Sequence, residues 1–245
     1  MSGVVIVTGG SRGIGAAICR ILAARGYAVG VNYAQRAEAA ESVVAEIRAA
    51  GGRAEALAGD VGDPVAVGAL FTAADRVLGP LTALVNNAGI TGDVSRVDAH
   101  EPAALERIFA VNVLGTILCA REAVRRMSRG HGGQGGGIVN ISSIAARTGG
   151  LPGLTAYAAT KGAVESFTKG FANEVGGEGI RVNAVAPGMT ATDMATEEMR
   201  ALAARSGVVL GRIGEAEDIA EAVAWLLSPA ASYVTGTVVT VSGGR

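Results

Sequence analysis

A chain of 245 residues that is 49% apolar can bury a large core, and 37 glycines against 6 prolines point to many turns and close backbone approaches, not to disorder. Lys plus Arg number 21 and Asp plus Glu 22, so a net charge of -1 leaves no basic footprint for nucleic acid and no cationic surface for an anionic membrane. With aromatics at 4%, the core must come from Val, Ile, Leu and Ala.

Residues 4–8 are a β-branched run suited to a strand covered on both faces, followed by a glycine loop over 9–15. Residues 16–25 have helical spacing, with Ile18 and Leu22 on one side, and Gly26 ends them. A strand over 27–31, a helix over 37–50 and a strand over 54–58 follow, then a helix over 64–77. The strand at 83–85 leads into Asn86-Asn87-Ala88-Gly89. Residues 102–127 form a long helical stretch, bent or divided near Val113-Leu114-Gly115. Residues 128–137 hold six glycines in ten positions and read as a flexible surface connection. A strand over 138–141, a helix over 156–175 and a strand over 180–185 continue the alternation. The segment 187–211 opens with Pro-Gly and has weak periodicity, so 188–212 is the candidate substrate lid. A helix over 218–227 and a strand over 236–241 close the chain.

Short apolar strands alternating with helices predict an α/β fold, a doubly wound sandwich whose central parallel sheet of about seven strands carries helices on both faces. Loops after the strands should gather at one sheet edge. No linker or repeat divides the sequence, so residues 1–245 are expected to form one domain. Cys19 and Cys119 lie on apolar helical patterns and read as buried free thiols; no CxxC pair or His cluster suggests a metal. The apolar run at 4–7 is too short for a signal peptide, and no continuous apolar stretch of about eighteen residues is present. The cytoplasm is the expected location.

Gly9, Gly13 and Gly15, between the first strand and its helix, allow a tight turn, close approach of backbone to a pyrophosphate, and tight helix packing. Ser11 and Ile14 belong to the same loop. After the second strand, Asn32, Tyr33 and Arg36 include no acid of the kind that repels a ribose 2′-phosphate, whereas Arg12 and Arg36 offer guanidinium groups to one. NADP(H) is therefore the expected cofactor, with NAD(H) as the alternative. Asp60 and Val61, and Asn86, Ala88 and Gly89, end the third and fourth strands, suitably for adenine contacts and close backbone approach.

Tyr157 and Lys161 stand four residues apart on one helix and share a face; Ser143, at the end of the preceding strand, can complete a three-residue site. A phenol with a pKa of about 10 is a poor acid–base group at neutral pH, but a neighbouring ammonium and a nicotinamide cation favour its phenolate. Ser143 could hydrogen-bond a substrate oxygen while Tyr157 exchanges a proton with it.

Taken together, these motifs resemble the short-chain dehydrogenase/reductase family, a Rossmann-type fold, along nearly the whole chain. Thr8-Gly9-x-x-x-Gly13-Ile14-Gly15 looks like its cofactor loop, Asp60 its adenine-contacting acid, and Asn86-Asn87-Ala88-Gly89 its fourth-strand motif. Asn112, Ser143, Tyr157 and Lys161 match its catalytic residues, and Pro187-Gly188 with Thr192 the segment that contacts the nicotinamide carboxamide. The resemblance implies that Lys161 also binds the nicotinamide ribose and that Asn112 holds a water in a proton relay. It further implies a homotetramer, a dimer of dimers, acting on a small carbonyl or alcohol, with the 3-oxoacyl-carrier-protein reductase and glucose dehydrogenase branches nearest in pattern. The longer glycine-rich approach to the fifth strand, and one extra residue between Ser143 and Tyr157, depart from the usual layout. The competing readings are an NAD-dependent sugar or alcohol dehydrogenase of the same family and, in a different class, a catalytically silent nucleotide-binding regulator.

Overall fold

The structure, a computed structural model, describes residues 3–191 and 208–245. The opening apolar run forms β1 (Gly3–Val7), in which Val4 and Ile6 join the core on one face and Val5 and Val7 the core on the other. Then come α1 (Gly13–Ala24), β2 (Tyr27–Tyr33), α2 (Ala37–Ala49), β3 (Arg53–Ala58), α3 (Pro64–Val77) and β4 (Leu81–Asn86). The second half adds α4 (Pro102–Phe109), α5 (Gly115–Met127), β5 (Gly136–Ile141), a one-turn α6 (Ala145–Thr148), α7 (Thr155–Val175) and β6 (Ile180–Pro187). A two-residue ladder of β7 (Thr190–Ala191) and β8 (Gly214–Glu215) precedes α8 (Ala216–Leu227) and β9 (Val238–Val241).

Seven strands pair in the order β3-β2-β1-β4-β5-β6-β9, all parallel, as the alternation of strands and helices requires. One face is covered through Ile18, Val43, Val44, Ile219 and Val223 of α1, α2 and α8. The other is covered through Leu70, Phe71, Cys119, Met127 and Phe171 of α3, α5 and α7. Strand order reverses between β1 and β4, and such a switch point opens a crevice at the carboxyl ends of the strands. The run Pro102–Met127 has the length and apolar content of a membrane span, but Cys119, Ala120, Ala123 and Met127 are buried in the core.

Two local features stand out, the first where the sequence predicts a division and the second against the sequence reading. The 102–127 stretch divides through a π-helical turn, Ala110–Leu114, before α5 starts at Gly115. Asn112, inside that turn, sends its side chain out of the helix, while its carbonyl oxygen accepts from Thr116 Oγ1 at 2.9 Å. The glycine-rich segment is also more closely held than a loose connection. Gly136 already belongs to β5, and a Cβ on it would stand 2.1 Å from the Thr82 carbonyl oxygen; at Gly135 it would stand 2.4 Å from that of Gly179. Both have positive φ, so glycine is needed here for contact and conformation.

Candidate active site

At the crevice, Gly9 (φ 61°) and Gly13 (φ 50°) turn the chain where other residues are strained. A Cβ on Gly15 would stand 2.2 Å from the Gly9 carbonyl oxygen, so α1 presses directly on the loop. The loop is braced from below. Asn87 Nδ2 donates to the carbonyls of Thr8 and Gly9 at 2.9 and 3.0 Å, and Thr8 Oγ1 accepts from the N–H groups of Asn87 and Ala88, both at 3.0 Å. Asn32 is buried, with Oδ1 accepting from Gly9 N at 3.2 Å and Nδ2 donating to the carbonyls of Leu57 and Gly59 at 3.1 and 2.9 Å. Its side chain is thus committed to tying the loop after β1 to the end of β3 and the loop that follows it.

Helix α1 has Arg12 at its N-cap position without a side-chain cap and no acid in its first turn, so its leading N–H groups suit an anion. Ser11 is half-buried beside it, and Ile14 packs against the core. Arg12 and Arg36 are exposed, and Tyr33, the last residue of β2, is half-buried. Asp60 accepts from Gly62 N at 2.9 Å and pairs with Arg107 of α4 at 2.8 Å, while Val61 is buried against Gly115.

The chemical residues meet beside this loop. Lys161 is buried in α7, and its Nζ donates to the Ile141 carbonyl at 2.8 Å, 5.7 Å from the centre of the Tyr157 ring. The Ser143 hydroxyl lies close enough to the Tyr157 phenol to lower its pKa, and Ser143 Oγ accepts from Ala145 N at 3.1 Å. Ser142 instead points into the protein, donating to Lys161 O and Glu165 Oε1 at 3.2 and 3.3 Å. The π-turn lets Asn112 clamp the strand-end loop, with Oδ1 accepting from Ile90 N at 2.9 Å and Nδ2 donating to Ile90 O at 2.8 Å and Thr160 Oγ1 at 3.0 Å. At the centre lies Gly89, where a Cβ would stand 3.3 Å from Lys161 Nζ and 3.4 Å from Asn112 Oδ1.

Burial pushes the Lys161 ammonium down to about 8, since no carboxylate compensates its charge. Burial also raises the Tyr157 phenol, with the Ser143 hydroxyl pulling it back. The chain's own groups therefore do not poise this phenol near neutrality.

Pro187 ends β6 and accepts from Ile144 N at 3.0 Å, and Gly188 N donates to Val241 O at 2.8 Å. A Cβ on Gly188 would stand 2.7 Å from the Ser242 Cα, which fixes where this segment leaves the sheet. Thr192 and most of the 188–212 lid lie outside the described residues.

Sequence reasoning missed a buried polar relay under the site. Asn86 Nδ2 donates to Asn140 Oδ1 at 2.9 Å and to Thr116 O at 3.3 Å, Asn140 Nδ2 donates to Thr168 Oγ1 at 2.9 Å, and Thr168 Oγ1 donates to Val164 O at 2.8 Å. An asparagine within the apolar 138–141 strand was the available signal. Asn86, read as a cofactor contact, thus has its Nδ2 turned into the sheet–helix layer.

Comparison with known proteins agrees with this architecture. The enoyl-(acyl carrier protein) reductase family model matches residues 9–245. An uncharacterized oxidoreductase of Escherichia coli, YgfF, is 46% identical over 99% of each chain. A 3-oxoacyl-[acyl-carrier-protein] reductase of Synechocystis is 41% identical over 98% of this chain and 96% of its own. Among solved structures, a short-chain dehydrogenase of Burkholderia cenocepacia in complex with NADP superposes with a TM-score of 0.91 at 38% identity, covering 99% of this chain and 97% of its own. A blue fluorescent protein from a metagenomic library in complex with NADPH gives 0.90 at 38% identity over the same shares. With this seven-stranded sheet, this glycine loop and relatives matched from end to end, the chain belongs to the short-chain dehydrogenase/reductase family of oxidoreductases.

Proposed function

We propose that the chain is an NADP(H)-dependent oxidoreductase acting between a carbonyl and its secondary alcohol, with Tyr157 as general acid and base. The convergence of Lys161 Nζ and Asn112 Oδ1 on Gly89, with the Tyr157 ring 5.7 Å from that ammonium and Ser143 beside the phenol, carries this reading. Glycine occupies the positions where backbone must come close to a ligand or turn sharply, so the cradle fits a dinucleotide. The 9–15 loop and the start of α1 would hold the pyrophosphate, and Arg12 and Arg36 the 2′-phosphate. Asp60 would face the adenine, Lys161 the nicotinamide ribose, and Pro187 and Gly188 with Thr192 the carboxamide. Relatives solved with NADP and with NADPH support that choice.

The nicotinamide, when bound, supplies or accepts the hydride. Ser143 orients the substrate oxygen, and Tyr157 gives its phenolic proton to the alkoxide as it forms. Lys161, held by Ile141 O near the phenol ring, stabilises the phenolate left behind and can return a proton from solvent. Asn112 fixes Ile90 and so the start of the loop after β4. Oxidation reverses these steps. Exposed apolar side chains on α4 (Phe109), the π-turn (Leu114), α5 (Ile117) and α8 (Trp225) support association into a homotetramer, and buried thiols at Cys19 and Cys119 suit the cytoplasm.

Tyr157→Phe tests the mechanism. It should keep NADPH affinity and lose turnover by about a hundredfold or more, because only the proton is removed. Full turnover in that variant would overturn the assignment.

A further inference from the structure

A recess beside Tyr157 is lined by Thr91, Asp93, His100, Leu105, Ile108 and the tyrosine itself. Its walls are tied together. Ser95 N donates to the Gly153 carbonyl at 3.1 Å, and Gly153, at φ 84°, has no room for a side chain because a Cβ would stand 2.7 Å from Val94 Cγ1. His100 is held between a 3-10 turn (Val97–Ala99) and α4, and its Nε2 is buried with no hydrogen-bond partner among the described residues.

A buried ring nitrogen without a partner costs free energy that folding alone does not recover. Leu105 and Ile108 show that an apolar side chain would line this recess at no such cost. A ligand oxygen seated in the recess would supply the missing hydrogen bond. Asp93 is the charged residue of the lining, so a carboxylate or phosphate seated there would meet a like charge, whereas a neutral oxygen would not.

We infer that His100 is a specificity-determining residue that hydrogen-bonds a second, uncharged oxygen of the substrate, and that the chain prefers hydroxylated or otherwise oxygenated ketones to plain ones. This rests on the carbonyl-reductase reading above, with the substrate carbonyl at Tyr157 and its oxygenated flank at His100.

The test compares kcat/KM with NADPH for acetone, hydroxyacetone and pyruvate, and for cyclohexanone against its adjacent-hydroxyl derivative, in wild type, His100→Leu, His100→Phe and His100→Gln. Comparing the preference ratio between proteins cancels the intrinsic reactivity of each ketone. Wild type should favour the hydroxyketones over both the plain ketones and pyruvate. Leu and Phe should shrink the hydroxyl preference about tenfold through the hydroxyketone arm, with plain-ketone turnover and NADPH affinity kept. Gln, which retains hydrogen-bonding atoms, should restore part of it. Either apolar variant suffices if the other does not fold. A preference identical with and without the imidazole would overturn the inference and leave the carbonyl-reductase reading standing; no turnover of any of these ketones by wild type would overturn both.

Discussion

Gly89 and Lys161 come so close that a Cβ on the glycine would stand 3.3 Å from the ammonium nitrogen and 3.4 Å from Asn112 Oδ1. Neither neighbour can retreat freely, because Lys161 Nζ is held by Ile141 O and Asn112 by Ile90. Gly89→Ala should therefore displace the lysine by a few tenths of an ångström while the sheet stays intact. The expected result is a fall in kcat of about tenfold with little change in the thermal midpoint, read by steady-state kinetics beside a circular-dichroism melt. An unchanged kcat would show that the ammonium position is not critical.

Asn112 binds the loop after β4 through both the donor and the acceptor of its amide. Asn112→Ala strands the Ile90 N–H and C=O and removes the donor to Thr160 Oγ1. The expected loss is about 1–3 kcal/mol in urea unfolding, accompanied by loss of turnover. Asn112→Asp can still accept from Ile90 N but cannot donate to Ile90 O, so it should fall between wild type and alanine in stability.

The architecture could be read from the sequence because a parallel strand covered on both faces leaves a continuous apolar run, as at 4–7 and 138–141, and the helices between carry their own period. What escaped reading was decided by register or by contact across the chain. Asn140 looks like a fault in an apolar strand until pairing sets it beside Asn86 on the neighbouring strand and Thr168 takes its other end. Asn32 stands where a ribose contact is expected, yet partners from the loop after β1 and from the end of β3 and the loop beyond it occupy its amide. The glycines of 130–137 suggest looseness, but at Gly135 and Gly136 the reason for glycine is the carbonyl of Gly179 or Thr82 lying against them. His100 has no sequence signature, since only the folded recess places it with Tyr157.

Thr168 terminates the relay that starts at Asn86, and Val fills nearly the same volume. Thr168→Val leaves Asn140 Nδ2 without its acceptor in a fully buried position. A loss of about 1–3 kcal/mol in chemical denaturation is expected, with Thr168→Ser recovering most of it. NADPH affinity should not move, because the relay lies beneath the cradle and not in it. A drop in affinity equal to the drop in stability would show that the two are coupled.

Arg12 and Arg36 are exposed and make no ion pair among the described residues, so both guanidinium groups are available to a phosphate. A charge-assisted hydrogen bond contributes about 1.5–3 kcal/mol, which is about tenfold or more in affinity. Replacing both by Ala should weaken NADPH binding by that order per residue and leave NADH nearly unaffected. Fluorescence titration of each nucleotide measures the difference, and parallel losses for the two would remove the 2′-phosphate from the explanation.

Lys161 makes stability and turnover respond to pH in opposite directions. Its folded pKa is lowered from 10.5 to about 8 by burial. Below about 8 both folded and unfolded chains carry the ammonium, and the folded state bears the cost of burying it. Between about 8 and 10.5 the unfolded chain holds the proton while the folded one has released it, so stability rises with pH across that window. The full gain corresponds to about 3 kcal/mol. Urea unfolding of wild type and Lys161→Met at a series of pH values isolates this contribution, because the other titrating groups are common to both. Wild type should gain on the variant as pH climbs from about 8 to about 10, whereas a constant gap would mean that the lysine is not perturbed. Carbonyl reduction should fall over the same range, since the deprotonated amine can no longer stabilise the Tyr157 phenolate, so the alkaline conditions that favour the fold switch off its chemistry.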